Sequence, residues 1–343
     1  MNFLECQIYY KNSFKTKITT GNIRYQTDLN PYHIKQSMNE ISVRVFSSSA
    51  NVGSGFDIFA VATDAFSEIL TLKYSESSGT KIAVKFNGDS VEPLKNTAGY
   101  AIHRVTNDLQ IKGRIEVKTI KEIPPGMGLG SSAASSAASV FAINSLLDLG
   151  LKDSDLIRYS MIGDSVASGS GHADNVSASL FGGFELVTGN NLMKPYKIPV
   201  NINLFFLIVI PEIRIDQKTM KARMIIPESI SREAHVTNLG YFASLLYGLM
   251  NGDRDSISDG LNDSFAERSR IVLYPYLDDL RKISLEHFSL GAFLSGAGPS
   301  VSIVCDGKTD MQGLRSGIDN VMRKYGLDYY IKECKTAGGV SIE

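Results

Sequence analysis

Three features of the sequence predict an α+β fold, in which runs of strand and runs of helix mix without strict alternation. Segments with alternating apolar residues recur at 41–45, 68–73, 81–86 and 114–120, each reading as a half-buried strand. Stretches of helix-forming residues at 98–109, 131–147, 153–167 and 233–250 interrupt them. The chain has 343 residues, 43% of them apolar, and single cores stop growing near ~250–300 residues, so two subdomains are expected.

In chain order, "MNEISVRVFSS" opens the first strand with Ile41, Val43 and Val45 on one face, and "SSANVGSGFD" (48–57) follows as a loop. Strands at 68–73 and 81–86 and a helix over 98–109 come next. "RIEVKTI" leads into a glycine loop, after which the helix from Ser131 is expected to stop at Gly150. Asp153 is the expected N-cap of the next helix. "GGFELVT" and "LFFLIVI" read as strands. The latter, at 204–210, is the longest wholly apolar run and far short of the ~20 residues of a membrane-spanning helix. Helices are expected at 219–224, 233–250 and 277–285, then strands at "GAFLS", "SVSIVCD" and "YYIKEC" around a helix over 311–325. The Gly-Lys-Thr at 307–309 has no glycine five positions before Gly307 and reads as a turn, not a Walker loop.

Charge excludes some partners. With 35 basic and 36 acidic residues the net charge is −1, which gives no attraction to nucleic acid or to an anionic membrane surface. Cys6, Cys305 and Cys334 are odd in number and in no metal-ligand spacing, which suits a reducing, cytoplasmic setting. Residues 1–37 carry five Lys or Arg and four Tyr without a helical or strand period. They read as a loosely attached arm or as translation from an upstream start, the compact part beginning near Met38.

The chemistry is concentrated in "PPGMGLGSSAA" (124–134). Gly126, Gly128 and Gly130 allow φ > 0 and let backbone approach a ligand with no Cβ in the way. Ser131 and Ser132 start a helix whose first amides lack intrahelical partners and whose dipole favours an anion, phosphate above all. Ala133, Ala134, Ala137 and Ala138 keep its first turns thin. The loop alone also fits a plain turn that joins a strand to a tightly packed helix.

With its flanks, this loop resembles the phosphate loop of the GHMP small-molecule kinases. "SSANVGSGFD" is similar to the family's N-terminal substrate motif and "LSGAGPSV" (294–301) to its C-terminal glycine motif. "HADNVSASLFGGF" (172–184), "TMKARMIIP", "DSFAERSRIVLYP" and "TAGGV" resemble segments of the homoserine kinase branch, so the likeness runs from about 41 to 343. It implies a GHMP kinase fold, with an N-terminal nucleotide-binding domain (38–190) and a ferredoxin-like C-terminal domain (191–343). It also implies an ATP- and Mg²⁺-dependent transfer of phosphate to the side-chain hydroxyl of L-homoserine, on the path to threonine. By motif position, Pro124, Pro125, Gly126, Met127, Gly128, Leu129, Gly130, Ser131, Ser132, Ala133 and Ala134 would hold ATP. Asn51, Asp57, His172, Asn175, Arg223 and Arg270 would contact the amino acid, with Asn175 and Arg223 nearest the chemistry. Ser132 and Asp164 would serve the metal. The branch has a glutamate where this chain has Asp164, so the shorter side chain would act through a water or a closer helix. The family is commonly dimeric, and burial within the subunit explains the apolar strands equally well.

An amino-acid substrate asks for a cationic fork, an anion and a polar group at the hydroxyl. Arg223 and Arg270 suit the carboxylate bidentately, Asp57 the ammonium, and Asn51 or Asn175 the hydroxyl. Each has a plainer reading: solvated helix charges for the arginines and Asp164, a turn residue for Asp57, a helix-start histidine for His172, a local backbone bond for Asn175. No residue stands out as a general base. The competing functions are another GHMP kinase, of mevalonate or shikimate type, and a non-catalytic metabolite sensor on the same fold.

Overall fold

Strand β1 (Glu40–Ala50) carries Ile41, Val43 and Val45 inward, as its alternation demands, and lies antiparallel between β2 (Phe59–Ser75) and the short C-terminal strand described below. The computed structural model describes residues 39–213 and 218–343, so the expectations for the arm over 1–37 lie outside the described residues. Met38–Glu343 forms one compact unit.

After β2 come β3 (Lys81–Phe86), β4 (Asp89–Val91) and α1 (Thr97–Asp108), capped by the Asn96 side chain on the Gly99 amide. Strand β5 (Arg114–Lys121) runs into the glycine loop, and α2 (Ser131–Leu147) leaves it. Helices α3 (Asp153–Ser168) and α4 (Ala173–Phe181) then pack beside α2, with α2 and α4 also touching β1 and β2. Strands β6 (Phe184–Thr188) and β7 (Lys194–Ile198) complete this sheet through β2.

The second sheet begins with β8 (Phe205–Pro211), buried along nearly its whole length. Helices α5 (Lys218–Met224), α6 (Arg232–Asn251), α7 (Arg254–Gly260), α8 (Ala266–Arg270) and α9 (Tyr276–Glu286) precede β9 (Gly291–Leu294) and β10 (Val301–Cys305). Then α10 (Met311–Lys324) and β11 (Tyr329–Cys334) follow, and β12 (Ser341–Ile342) returns to pair with β1. The sheet order β11-β8-β10-β9, all antiparallel, is the 4-1-3-2 order of a ferredoxin-like half, as expected. Its outer core joins Leu207, Val209, Leu277, Leu280, Leu314 and Ile318, while Phe206 and Ile208 on the other face enter the larger core shared with β1 and α2.

Several boundaries differ from the sequence reading. β1 continues through Ser48 to Ala50, so the loop begins at Asn51, because β2 offers partners that far along. Helix α2 ends at Leu147 with Asp148 as the left-handed C-cap, before Gly150. Asp153 is the first residue of α3, and Lys152 occupies the N-cap without a side-chain bond. Helices α4, α7 and α8 and strands β4, β7 and β12 were not anticipated. The 307–309 turn stands, with Thr309 N–H donating to Asp306 O at 3.1 Å.

Candidate active site

Four segments far apart in sequence meet around one cavity of about 280 Å³: Ala50–Asn51 with Asp57, the glycine loop, residues 164–175, and the turn at Gly296 and Ala297. Thr97, Lys121, Arg223 and Arg270 complete its wall.

The first segment is bent into an uncommon backbone. Asn51 (φ 74°), Val52 (φ 41°) and Asp57 (φ 60°) all have positive φ, which for a β-branched valine is an outlier, and such strain gathers at ligand sites. The Asn51 amide holds it. Nδ2 donates to Gly296 O at 2.9 Å and Oδ1 accepts the Asp57 N–H at 3.1 Å. Asn51 therefore staples two loops.

The glycine loop has the predicted left-handed residues at Gly126, Gly128 and Gly130. At Gly128 a Cβ would collide with Ser295 O, and at Gly130 with Ser48 Oγ, whereas Gly126 faces open space. The loop is bound to the C-terminal glycine turn by Ser295 Oγ donating to Gly128 O at 2.8 Å and Ser300 N–H to Met127 O at 3.3 Å. Helices α1, α6, α7 and α10 close their first turns with Asn96, Ser231, Asp253 and Asp310, whereas α2, starting at Gly130, has no side-chain cap, and neither do α3, α4, α8 and α9. The first amides of α2 are thus left for an anion in the cavity. Of the eleven loop residues expected at ATP, eight line the cavity. Pro124, Met127 and Ala134 do not: Met127 packs against the core, and Ala134 is fully buried with its N–H donating to Gly130 O.

Asp164 is 1% exposed, so it is no solvated helix charge. One oxygen accepts Ser132 Oγ–H at 2.5 Å; the other accepts the His172 N–H at 3.0 Å and Nδ1–H at 2.8 Å. Burial works to lower the His172 pKa, but the Asp164 hydrogen bond together with the charges of Asp164 and Asp174 raises it overall. Arg223, half exposed, donates to Asp57, to Ser170 Oγ at 3.1 Å and to His172 Nε2 at 3.1 Å. Arg270 is buried, its Nε donating to Ala222 O at 3.1 Å and its Nη1 to Gly296 O at 2.9 Å. Asn175 Oδ1 accepts Ser48 Oγ–H at 2.9 Å, a link to buried Ser48 of β1 and not the local bond of the plainer reading.

Two residues escaped the sequence reading. Asp174 is 2% exposed in the cavity wall, and burial, with nearby Asp57, pushes its carboxyl up to about 6. Lys121 Nζ donates to Ser131 O and Ser135 Oγ, each at 2.5 Å, and pairs with buried Glu68 at 3.1 Å. Glu68 and Lys121 lie directly opposite on β2 and β5, a signal readable only once the pairing is known. Among the described residues no three His, Cys, Asp or Glu side chains form a metal cage.

A mixed sheet beside an antiparallel one, with a glycine loop at an uncapped helix start opening into a single charged cavity, matches a small-molecule kinase of the GHMP class. Residues 96–183 match the GHMP kinases N terminal domain and 245–324 the GHMP kinases C terminal family. The chain is 40% identical over 301 residues to the homoserine kinase of Sulfurisphaera tokodaii, covering 88% of this chain and 98% of that one. It is also 40% identical over 296 residues to that of Thermoplasma acidophilum (86% and 94%). The crystal structure of homoserine kinase from Cytophaga hutchinsonii superposes with a TM-score of 0.79 at 31% identity, over 94% of this chain and all of that one. The chain belongs to the homoserine kinase family. Mevalonate diphosphate decarboxylase from Staphylococcus aureus, at 17% identity and a TM-score of 0.65 over 89% of this chain and 98% of that one, shares the fold.

Proposed function

We propose that this cavity transfers the γ-phosphoryl group of ATP to the side-chain hydroxyl of L-homoserine. The observation that carries the reading is the uncapped start of α2 opening into the same cavity as Arg270, Asp57 and Asp174. Backbone amides of Gly126 to Ala133 take the phosphates. Arg270, with Arg223, takes the acceptor's carboxylate, and Asp57 and Asp174 supply the negative field for its ammonium. Asn175, fixed by Ser48, faces the hydroxyl.

Phosphoryl transfer asks mainly for positioning and charge neutralisation, so the hydroxyl proton can pass to a phosphate oxygen or water without a dedicated base. Mg²⁺ suits the donor set, since it binds hard oxygens and few protein ligands, and Ser132 Oγ and buried Asp164 bring a hydroxyl and a carboxylate to one point beside the loop. When bound there, it would neutralise charge on the phosphates. His172 keeps the Asp164 carboxylate turned toward Ser132.

The reading includes a cytoplasmic enzyme, arranged as an N-terminal half to 190 and a C-terminal half from 191, and a homodimer. The two described cysteines are free and buried, and among the described residues no helix is long and apolar enough to cross a membrane. β7 and β12 come from beyond residue 190 yet join the first sheet, so the halves share strands. Light scattering on the eluted protein tests the dimer. An ADP-release assay with homoserine, mevalonate and shikimate side by side tests the activity: ADP formation should require homoserine. Turnover with another acceptor instead, or none with any, contradicts the reading.

A further inference from the structure

Glu267 lies outside the cavity and takes no part in the phosphate loop, yet it is 2% exposed and fully engaged. Its Oε1 accepts the Leu294 amide at 2.6 Å, and its Oε2 pairs with Arg281 of α9. Arg281 is fixed in turn, its Nε donating to Ala292 O at 3.2 Å and its Nη1 to Asp278 at 3.3 Å. Residues 267 and 270 are three apart on α8 and share a face. From that face both reach the same stretch of chain: Glu267 holds Leu294, the last residue of β9, and Arg270 holds Gly296 two residues on. Asp263 Oδ1 secures the start of α8 by accepting the Phe265 and Glu267 amides.

We propose that Glu267 is a positioning residue for the reaction: by tying α8 to the end of β9 and to Arg281, it sets where the Arg270 guanidinium meets the acceptor's carboxylate. This rests on the reading that Arg270 binds that carboxylate. The tie is expensive for the fold. Burial pushes the Glu267 carboxyl up to about 7 even with Arg281 beside it. Packed apolar side chains in place of both Glu267 and Arg281 would hold the fold about as well, because a buried ion pair seldom contributes net stability. What such side chains lack is an acceptor for Leu294 and a directional tie between α8 and α9.

Steady-state kinetics of Glu267→Gln, Arg270→Lys and the double variant, with melting temperatures, test the proposal. Glu267→Gln should raise the KM for homoserine about tenfold while the KM for ATP stays within twofold. In the double variant it should add little to the effect of Arg270→Lys, since both act on one guanidinium. An unchanged homoserine KM in Glu267→Gln, an equal rise in both KM values, or full additivity with Arg270→Lys overturns the proposal. If Arg270→Lys itself leaves the homoserine KM unchanged, the reading of Arg270 fails, and this proposal with it. Should Glu267→Gln not fold, Arg281→Lys loosens the same tie from outside, and the same selective rise is expected, its absence again being contrary.

Discussion

Ser132 Oγ donates to the Asp164 carboxylate at 2.5 Å, which joins the first turn of α2 to α3 at the phosphate end of the cavity. Helix α3 comes this close because the residue before Asp164 is Gly163, where a Cβ would strike Ser136 Oγ and lie 2.7 Å from Thr97 O and Ala101 Cβ. Gly163→Ala should lower the melting temperature by several degrees, overpacking of this kind costing roughly 1–3 kcal/mol. It should also reduce kcat with little change in the homoserine KM. A kcat equal to that of the parent enzyme in folded Gly163→Ala would show that the approach of α3 does not set the Asp164 position.

Asp164→Asn keeps the shape and removes the charge beside Ser132. A loss of about 10²-fold in kcat is expected, the scale of one electrostatic contact at a transition state, together with a higher Mg²⁺ requirement. Titration of activity against Mg²⁺ checks it. An unshifted requirement would remove Asp164 from the metal site.

Gly126 and Gly128 share a left-handed backbone but not surroundings, so alanine separates two effects. Gly126→Ala meets open space and bears only the backbone strain, about 1 kcal/mol, so the protein should stay folded with a raised KM for ATP. Gly128→Ala drives a Cβ into Ser295 O and should cost clearly more stability and disrupt both glycine turns. Thermal melts and ATP kinetics distinguish the pair; equal effects would mean that the loop does not rest on the 295–298 turn.

Asp174 gives the pH dependence a sign. Its carboxyl is pushed up to about 6 in the free enzyme, so below that pH it takes up a proton and the ammonium loses an anion. The kcat/KM for homoserine should fall on the acid side with an apparent pKa near 6, and Asp174→Asn should be weaker throughout and lack that limb. A parent profile that is flat from pH 5 to 8 would contradict the placement of Asp174 at the ammonium.

Glu185, on β6, is buried, and its Oε1 has no hydrogen-bond partner. Burial raises its carboxyl to about 7, against an ordinary 4.5. Between these values the folded state holds more protons than the unfolded one, so this residue's contribution to stability falls as pH rises through the window. Glu185→Gln should flatten that fall and raise the melting temperature at pH 8 by a few degrees, about 1–2 kcal/mol, with little change at pH 4.5. Calorimetry at the two values suffices; a lower melting temperature at pH 8 would show that the ionised form is needed.

The loop and α2 were legible because prolines, glycines and small residues each mark a local backbone requirement. The same holds for β8, whose apolar run admits few alternatives. Helix α4, "ADNVSASLF", was missed because its small and polar residues sit in the interior, where α2, α3 and β1 surround them, and no apolar period marks the inward face. That packing also buries Asp174, which in sequence is only an acid beside an alanine. Arg270 reverses the usual prior for a charge in a helix, since the carbonyls of Ala222 and Gly296 that accept it come from 48 and 26 residues away. Strand β12 is two residues long and exists only because β1 has an open edge for it.

The most direct measurement is a crystal structure of the protein with a non-hydrolysable ATP analogue, Mg²⁺ and homoserine. The β- and γ-phosphates should lie against the amides of Gly126 to Ala133, with the homoserine carboxylate on Arg270 and its hydroxyl beside Asn175. A triphosphate bound elsewhere, with the start of α2 untouched, would contradict the account.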